Sequence, residues 1–353
     1  MHGDFSRDTF SGLHRFSRVL MQQGRVLLDA DWNEQTSILL HYLRALAADV
    51  IGPHGGGPTA FQIGCEDADG NAMRYDFTIG FGHYWVDGIL VEHEPPGGYL
   101  PRPASQAQAG RKEAVSADGT LQPYSGHASG GTHPPTTYGG QPYLTFGDDD
   151  HLQPGQTYLV YLDVWEQMLT HLQAGHVREV ALGGPDTAAR ARVVWQVRVM
   201  DQREIRDDGQ DATCEDLMQA LAPRPRWLRA RARVPEPSDE PCIIPPEATY
   251  RGLENQLYRV EIHDGGTMES SLAGPTFIWS RDNGSVAFGV RGLQGNVATL
   301  DTLGPDDRRT LVEDDWVELV DDRTVLRGEA GVLARVESVD RLTFRVTLSV
   351  PEG

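Results

Sequence analysis

The residues that could do chemistry in this chain are acidic clusters, scattered histidines and a set of tryptophans. Asp148-Asp149-Asp150-His151 offers oxygen ligands for a hard cation. Glu313-Asp314-Asp315 with Asp321-Asp322 does the same around one strand. A polar turn and solvated strand ends account for both runs without an ion, so no metal is expected at either. Glu166 with Glu179, or Asp163 with Glu166, supplies the two carboxylates that glycoside hydrolysis needs, but their separation cannot be read from spacing. His83, His171, His176 and His263 show no ligand spacing on a shared element, and His263-Asp264 reads as a turn rather than a dyad. Trp85, Trp165, Trp195, Trp279 and Trp316 fall in apolar strand patterns, which predicts core packing over a sugar-stacking surface. No GxSxG, P-loop, HExxH or EF-hand pattern occurs. The expectation is a protein that is not an enzyme, with no cofactor and no metal.

The elements that must position these residues are mostly strands. The chain has 353 residues, enough for a core without disulfide or metal staples, and its 39 Gly and 22 Pro imply many turns. Short β-rich runs cover Phe77 to Phe81 and Tyr84 to Val91, with Asp87-Gly88 as a hairpin signal. Val193, Trp195, Val197 and Val199 alternate against Gln196 and Arg198, as on a strand with one buried face. Asp282-Asn283-Gly284 predicts a hairpin between Phe277–Ser280 and Ser285–Val290. Further strands are expected near Asn296 to Leu300, Trp316 to Val320, Gly331 to Val336 and Thr343 to Ser349, and a short helix over Cys214 to Leu221. The fold class is mainly β, of sandwich or barrel-like modules, with an N-terminal α-helical docking element.

The helix is the sharpest signal. Leu39, Leu43, Leu46 and Val50 repeat at i, i+4, i+7 and i+11, predicting a helix over 32–50 that buries this face. Asp31 stands where an N-cap belongs, and Glu34 completes a capping-box pair. Gly52-Pro53 and Gly55-Gly56-Gly57-Pro58 end it. The expected organisation is a docking element over 1–58, a first β segment over 59–94 and a Gly/Pro-rich insertion or linker over 95–142. A central β domain over 143–222, a Pro/Arg-rich connector over 223–246 and a C-terminal β module over 247–353 follow.

A formal net charge of −20 repels phosphate backbones and anionic lipid, so nucleic acid and membrane surfaces are not expected partners. Cys65, Cys214 and Cys242 are widely spaced and odd in number, which suits a reducing compartment. The N-terminal residues lack the pattern of a signal peptide, and no apolar run reaches membrane-spanning length. Cytoplasmic synthesis and assembly is the expectation, with any release outside the cell as part of a larger particle or through a leaderless route.

The stretch FSRVLMQQGRVLLDADWNEQ, Phe16 to Gln35, resembles the opening motif of an uncharacterised family associated with phage-tail-like contractile injection systems. The likeness continues through GHYWVDGILVE, TYLVYLDVWEQ, REVALGGPDTAARARVVWQV and TFIWSRDNGSV. It implies a structural component at the baseplate, or a tail-fibre-like or adaptor protein, whose partners are other particle subunits. A homo-oligomer is implied, with a three-fold helix bundle setting a trimer. Arg18, Gln22, Arg25, Asp29, Asp31, Trp32, Asn33 and Glu34 form the expected subunit interface, with Arg18 or Arg25 tying the helix entrance to the segment before it. The rival expectation is a carbohydrate- or receptor-binding module at the particle tip, and a more distant one is a glycan-cleaving enzyme.

Overall fold

Alternating apolar residues and frequent Gly/Pro turns produce a chain of short antiparallel sheets with one long helix. The computed structural model describes residues 3–65, 75–95, 112–115, 121–124, 136–144, 151–183, 186–206, 208–222, 228, 257–263, 265, 275–304, 306 and 309–350. The protein is mainly β, with helix α1 at Asp29–Ile51. It divides into two compact units, each discontinuous in sequence. One comprises Met1–Ile38, Met168–Arg190 and Arg224–Gly353, the other Leu39–Gln167 and Ala191–Pro223. The Arg residues of the 223–246 connector lie outside the described residues, as do 96–111, 116–120 and 125–135 of the expected insertion.

In the second unit, Gly82–Val86 and Ile89–His93 form the hairpin that Asp87-Gly88 predicts, with His54–Gly56 on its other edge. Asp87 and Gly88 are both left-handed, at φ 48 and 73, the conformation a tight two-residue hairpin turn requires. A Cβ on Gly88 would overlap the Arg44 carbonyl, so only glycine lets the turn lie against α1. Phe77, Ile79, Val91, Tyr138, Trp195 and Val197 make the core.

Two expectations change here. Thr136–Thr137 pairs with Thr78–Ile79, Tyr138 stacks on Phe77 at 4.8 Å, and Gln141 is buried, accepting from Val197 N at 2.7 Å. The end of the expected 95–142 insertion is therefore core. The Arg190–Asp201 strand is also covered on both faces: Val194 and Gln196 are as buried as Trp195 and Val197. Gln196 is tolerated there because its amide donates to the Tyr143 carbonyl at 2.5 Å.

In the first unit the four expected C-terminal strands form, joined by Val290–Gln294, in the order Val290–Gln294, Val297–Leu300, Arg345–Ser349, Val332–Asp340, Trp316–Leu319. Ala298, Leu300, Leu311, Ala334, Val336, Val346 and Leu348 fill one side of this sheet. The predicted Asn283-Gly284 hairpin does not form. Asp282 and Asn283 are left-handed (both φ 53), but Phe277–Ser280 pairs with the earlier strand Arg259–Ile262. Trp195 is core as expected, whereas Trp279 and Trp316 are exposed.

Candidate docking site

Helix α1 begins at Asp29, three residues before the expected start, so Asp31 lies inside its first turn and is not the N-cap. Glu34 does not close a capping box. It accepts instead from the Thr9 hydroxyl at 2.7 Å. Asp29 accepts from Ser6 N at 2.9 Å and from Ser6 Oγ at 2.5 Å, and Gln35 Oε1 accepts from Val19 N at 2.8 Å. Among the described residues, Ser6, Thr9 and Val19 thus tie the leading segment to the helix, not Arg18 or Arg25. Partial burial pushes the Asp29 carboxyl up, but the Ser6 hydroxyl and backbone N–H, with the Ala30 N–H, outweigh it and hold the group below its ordinary value.

Further toward the terminus, Asn283 anchors the chain. Its buried side chain donates from Nδ2 to Gly3 O at 3.1 Å, and Gly3 N donates back to Asn283 O at 3.1 Å. The left-handed backbone at 282–283 that spacing assigned to a hairpin serves this clasp.

The apolar stripe of α1 faces the other way. Trp32, Leu39, Leu43, Leu46 and Val50 are 54–76% exposed, which overturns the expected burial of Leu39, Leu43, Leu46 and Val50. The side packed on this chain is marked by Ala30 and Ile38, on the opposite side of the helix at ~100° per residue. With Thr36, also exposed, the stripe runs 32, 36, 39, 43, 46, 50, alternating four and three residues. That is the spacing of a coiled-coil seam. Leu40 and Tyr42, on its two flanks, are exposed as well. Of the expected interface residues, Arg18, Gln22, Arg25, Trp32 and Asn33 are exposed, Asp29 and Glu34 hold the leading segment, and Asp31 is half-buried. Only Trp32 lies on the seam. The leucines around it were legible as one face, but spacing alone cannot say whether a face meets its own chain.

The groups that suggested catalysis are engaged elsewhere. Glu166 pairs with Arg44 at 2.8 Å and Asp163 with Arg198 at 3.3 Å, and three residues apart on one strand they point to opposite sheet faces. Glu179 accepts from Ala181 N at 3.0 Å and caps a short turn. His171 Nδ1 lies 2.9 Å from Asp186. Burial pushes the Asp186 carboxyl up, and its bonds to the His171 side chain and N–H bring it below its ordinary value. Asp314 pairs with Arg335, Asp315 accepts from Val312 N, and Asp321 caps the helix Asp322–Arg327. Asp148-Asp149-Asp150 and Asp264 lie outside the described residues. Among the described residues no helix is long and apolar enough to cross a membrane.

The chain belongs to DUF6519, a family of unknown function, whose model matches residues 1–114, 132–225 and 206–353. No curated protein and no solved structure matches it.

Proposed function

We propose that this protein is a structural assembly component of a phage-tail-like contractile injection system, at the baseplate or as a fibre or adaptor, docking through α1. The observation that supports docking is the exposed seam of Trp32, Leu39, Leu43, Leu46 and Val50. Singly scattered apolar residues need no explanation, but a continuous exposed line of them marks an interaction surface. Its three–four spacing fits another helix, so the occupant is a second copy of α1 in a homo-oligomer. Exposed apolar residues on both flanks favour a bundle of at least three helices, since a two-stranded seam leaves those flanks in water. The particle itself is suggested by the resemblance of Phe16 to Gln35. The role is mechanical rather than catalytic.

Imaging particles with and without the gene tests this reading, with Leu39→Ala/Leu43→Ala/Leu46→Ala as the third sample. Loss or malformation of particles without the gene, and absence of the triple variant from purified particles, is expected. Complete, functional particles that never retain the wild-type chain would sink it.

One observation favours a second reading, a glycan- or receptor-binding module. Tyr258, Phe277 and Trp279 are 57–61% exposed on the paired strands near Arg259–Ile262 and Phe277–Ser280, with the Tyr258 and Trp279 rings 6.0 Å apart. Exposed Tyr and Trp, with an apolar body and a polar tip, supply a contact surface for such a ligand. Glycan-array binding lost in Trp279→Ala and retained in the seam variant would establish it.

A further inference from the structure

The Asp87-Gly88 hairpin brings together three side chains that ligate metals. Its register sets His83 opposite Glu92, and Glu94, two residues on, continues the same side of the strand. His83 Nε2 lies 3.7 Å from Glu92 Oε1 and 3.7 Å from Glu94 Oε1. One ligand atom from each of the three lies within 4.8 Å of the other two. The backbone presenting them is held firmly. Val91 and His93 anchor the opposite face in the core, and His54–Gly56 pairs along the free edge of Gly82–Val86.

A tetrahedral zinc ion with bonds of ~2.0–2.2 Å separates its ligand atoms by ~3.3–3.6 Å, so each His83–carboxylate spacing needs to close by only a few tenths of an ångström, while the two carboxylates, within 4.8 Å of each other, close the remainder by rotation of their exposed side chains. Two carboxylates on one strand face repel each other. A divalent cation offsets both of those charges and takes the imidazole nitrogen as a ligand. One imidazole with two carboxylates suits a zinc-class ion, since calcium and magnesium favour all-oxygen shells.

We propose that His83, Glu92 and Glu94 form a three-ligand site for a divalent transition metal of the zinc class, with its remaining position open to water. All three side chains are exposed, so the ion enters directly from solvent. None of the three lies on α1, and the site stands or falls independently of the assembly reading.

Calorimetric titration of zinc chloride into the chelator-treated full chain tests it, beside His83→Ala and Glu92→Gln/Glu94→Gln. One zinc-binding event is expected in the wild type, weakened at least tenfold in each variant, with manganese binding less tightly than zinc. Zinc should raise the melting temperature of the wild type more than that of either variant, while all three proteins melt together in chelator because the substituted side chains are exposed. Equal zinc affinity in wild type and variants overturns the proposal. So does no binding at millimolar zinc, or tighter binding of calcium or magnesium.

Discussion

Truncating the α1 seam separates an interface from a core more cleanly than any other substitution in this chain. Alanine is the strongest helix former, so Leu39→Ala/Leu43→Ala/Leu46→Ala leaves the helix itself intact. These side chains already face water in the isolated chain. Each truncation should therefore cost the folded protein less than about 0.5 kcal/mol, against about 2–5 kcal/mol for a leucine in a packed core. Association is another matter. Fully burying a leucine is worth about 1.5–3 kcal/mol, and slightly more than half of each side chain remains to be buried. The three together then contribute about 3–5 kcal/mol per helix, or roughly a hundred- to several-thousand-fold in association constant. Sedimentation velocity across a dilution series should show a concentration-dependent oligomer for the wild type and a monomer throughout for the variant. Thermal melts of dilute protein should differ by no more than a few degrees. A collapse in melting temperature would show that the stripe is core after all. An unchanged oligomer would show that subunits meet through some other surface.

Burial of His93 lowers its imidazole pKa even though the ring hydrogen-bonds the Gly80 carbonyl. The unfolded chain then binds a proton near the ordinary value of about 6.5 while the folded chain resists it. Stability is full above that pH and falls as pH drops from there toward the lowered folded value, a slope that urea titrations should show and His93→Gln should flatten. Gly88→Ala should cost about 2–4 kcal/mol, because a left-handed turn position gains a Cβ against the Arg44 carbonyl; a melting temperature within a degree of wild type would contradict the packing described. Asn283→Ala removes the buried amide that holds Gly3 and should cost about 1–3 kcal/mol. Limited proteolysis should cut the first residues faster in that variant, and an unchanged cleavage pattern would mean that the clasp is not what secures them.

Local chemistry was legible wherever a few neighbouring residues determine it. Asp87-Gly88 gave its hairpin, and Cys214 to Leu221 its helix, capped by Thr213 and Asp216. Asn283 shows the limit. Its left-handed backbone followed from residue type, but its partner did not, because the Gly3 carbonyl is 280 residues away in sequence. The same holds for Ser6 and Thr9. They hold Asp29 and Glu34 from outside any local capping pattern, so Glu34 looked like the partner of Asp31 in a capping box. Tyr138 and Gln141 were hidden differently, since a Gly/Pro-rich flank masked two residues that pack singly rather than in a periodic run.

The seam and the His83 cluster mark opposite sides of that limit. Periodicity identifies which residues share a helix face, but burial is a property of two surfaces, and only one of them is written in the helix. α1 satisfies its own chain with a narrow side around Ala30 and Ile38 and with hydrogen bonds from Ser6, Thr9 and Val19, which leaves the broad leucine side free. The hairpin, in contrast, contains both of its surfaces. Once Asp87 and Gly88 are fixed as the two turn residues, Val86 must face Ile89 and His83 must face Glu92, with Glu94 on the same side. Histidine spacing within single elements misses such a cluster, because its members belong to different strands. Counting outward from each two-residue turn recovers it without any structure.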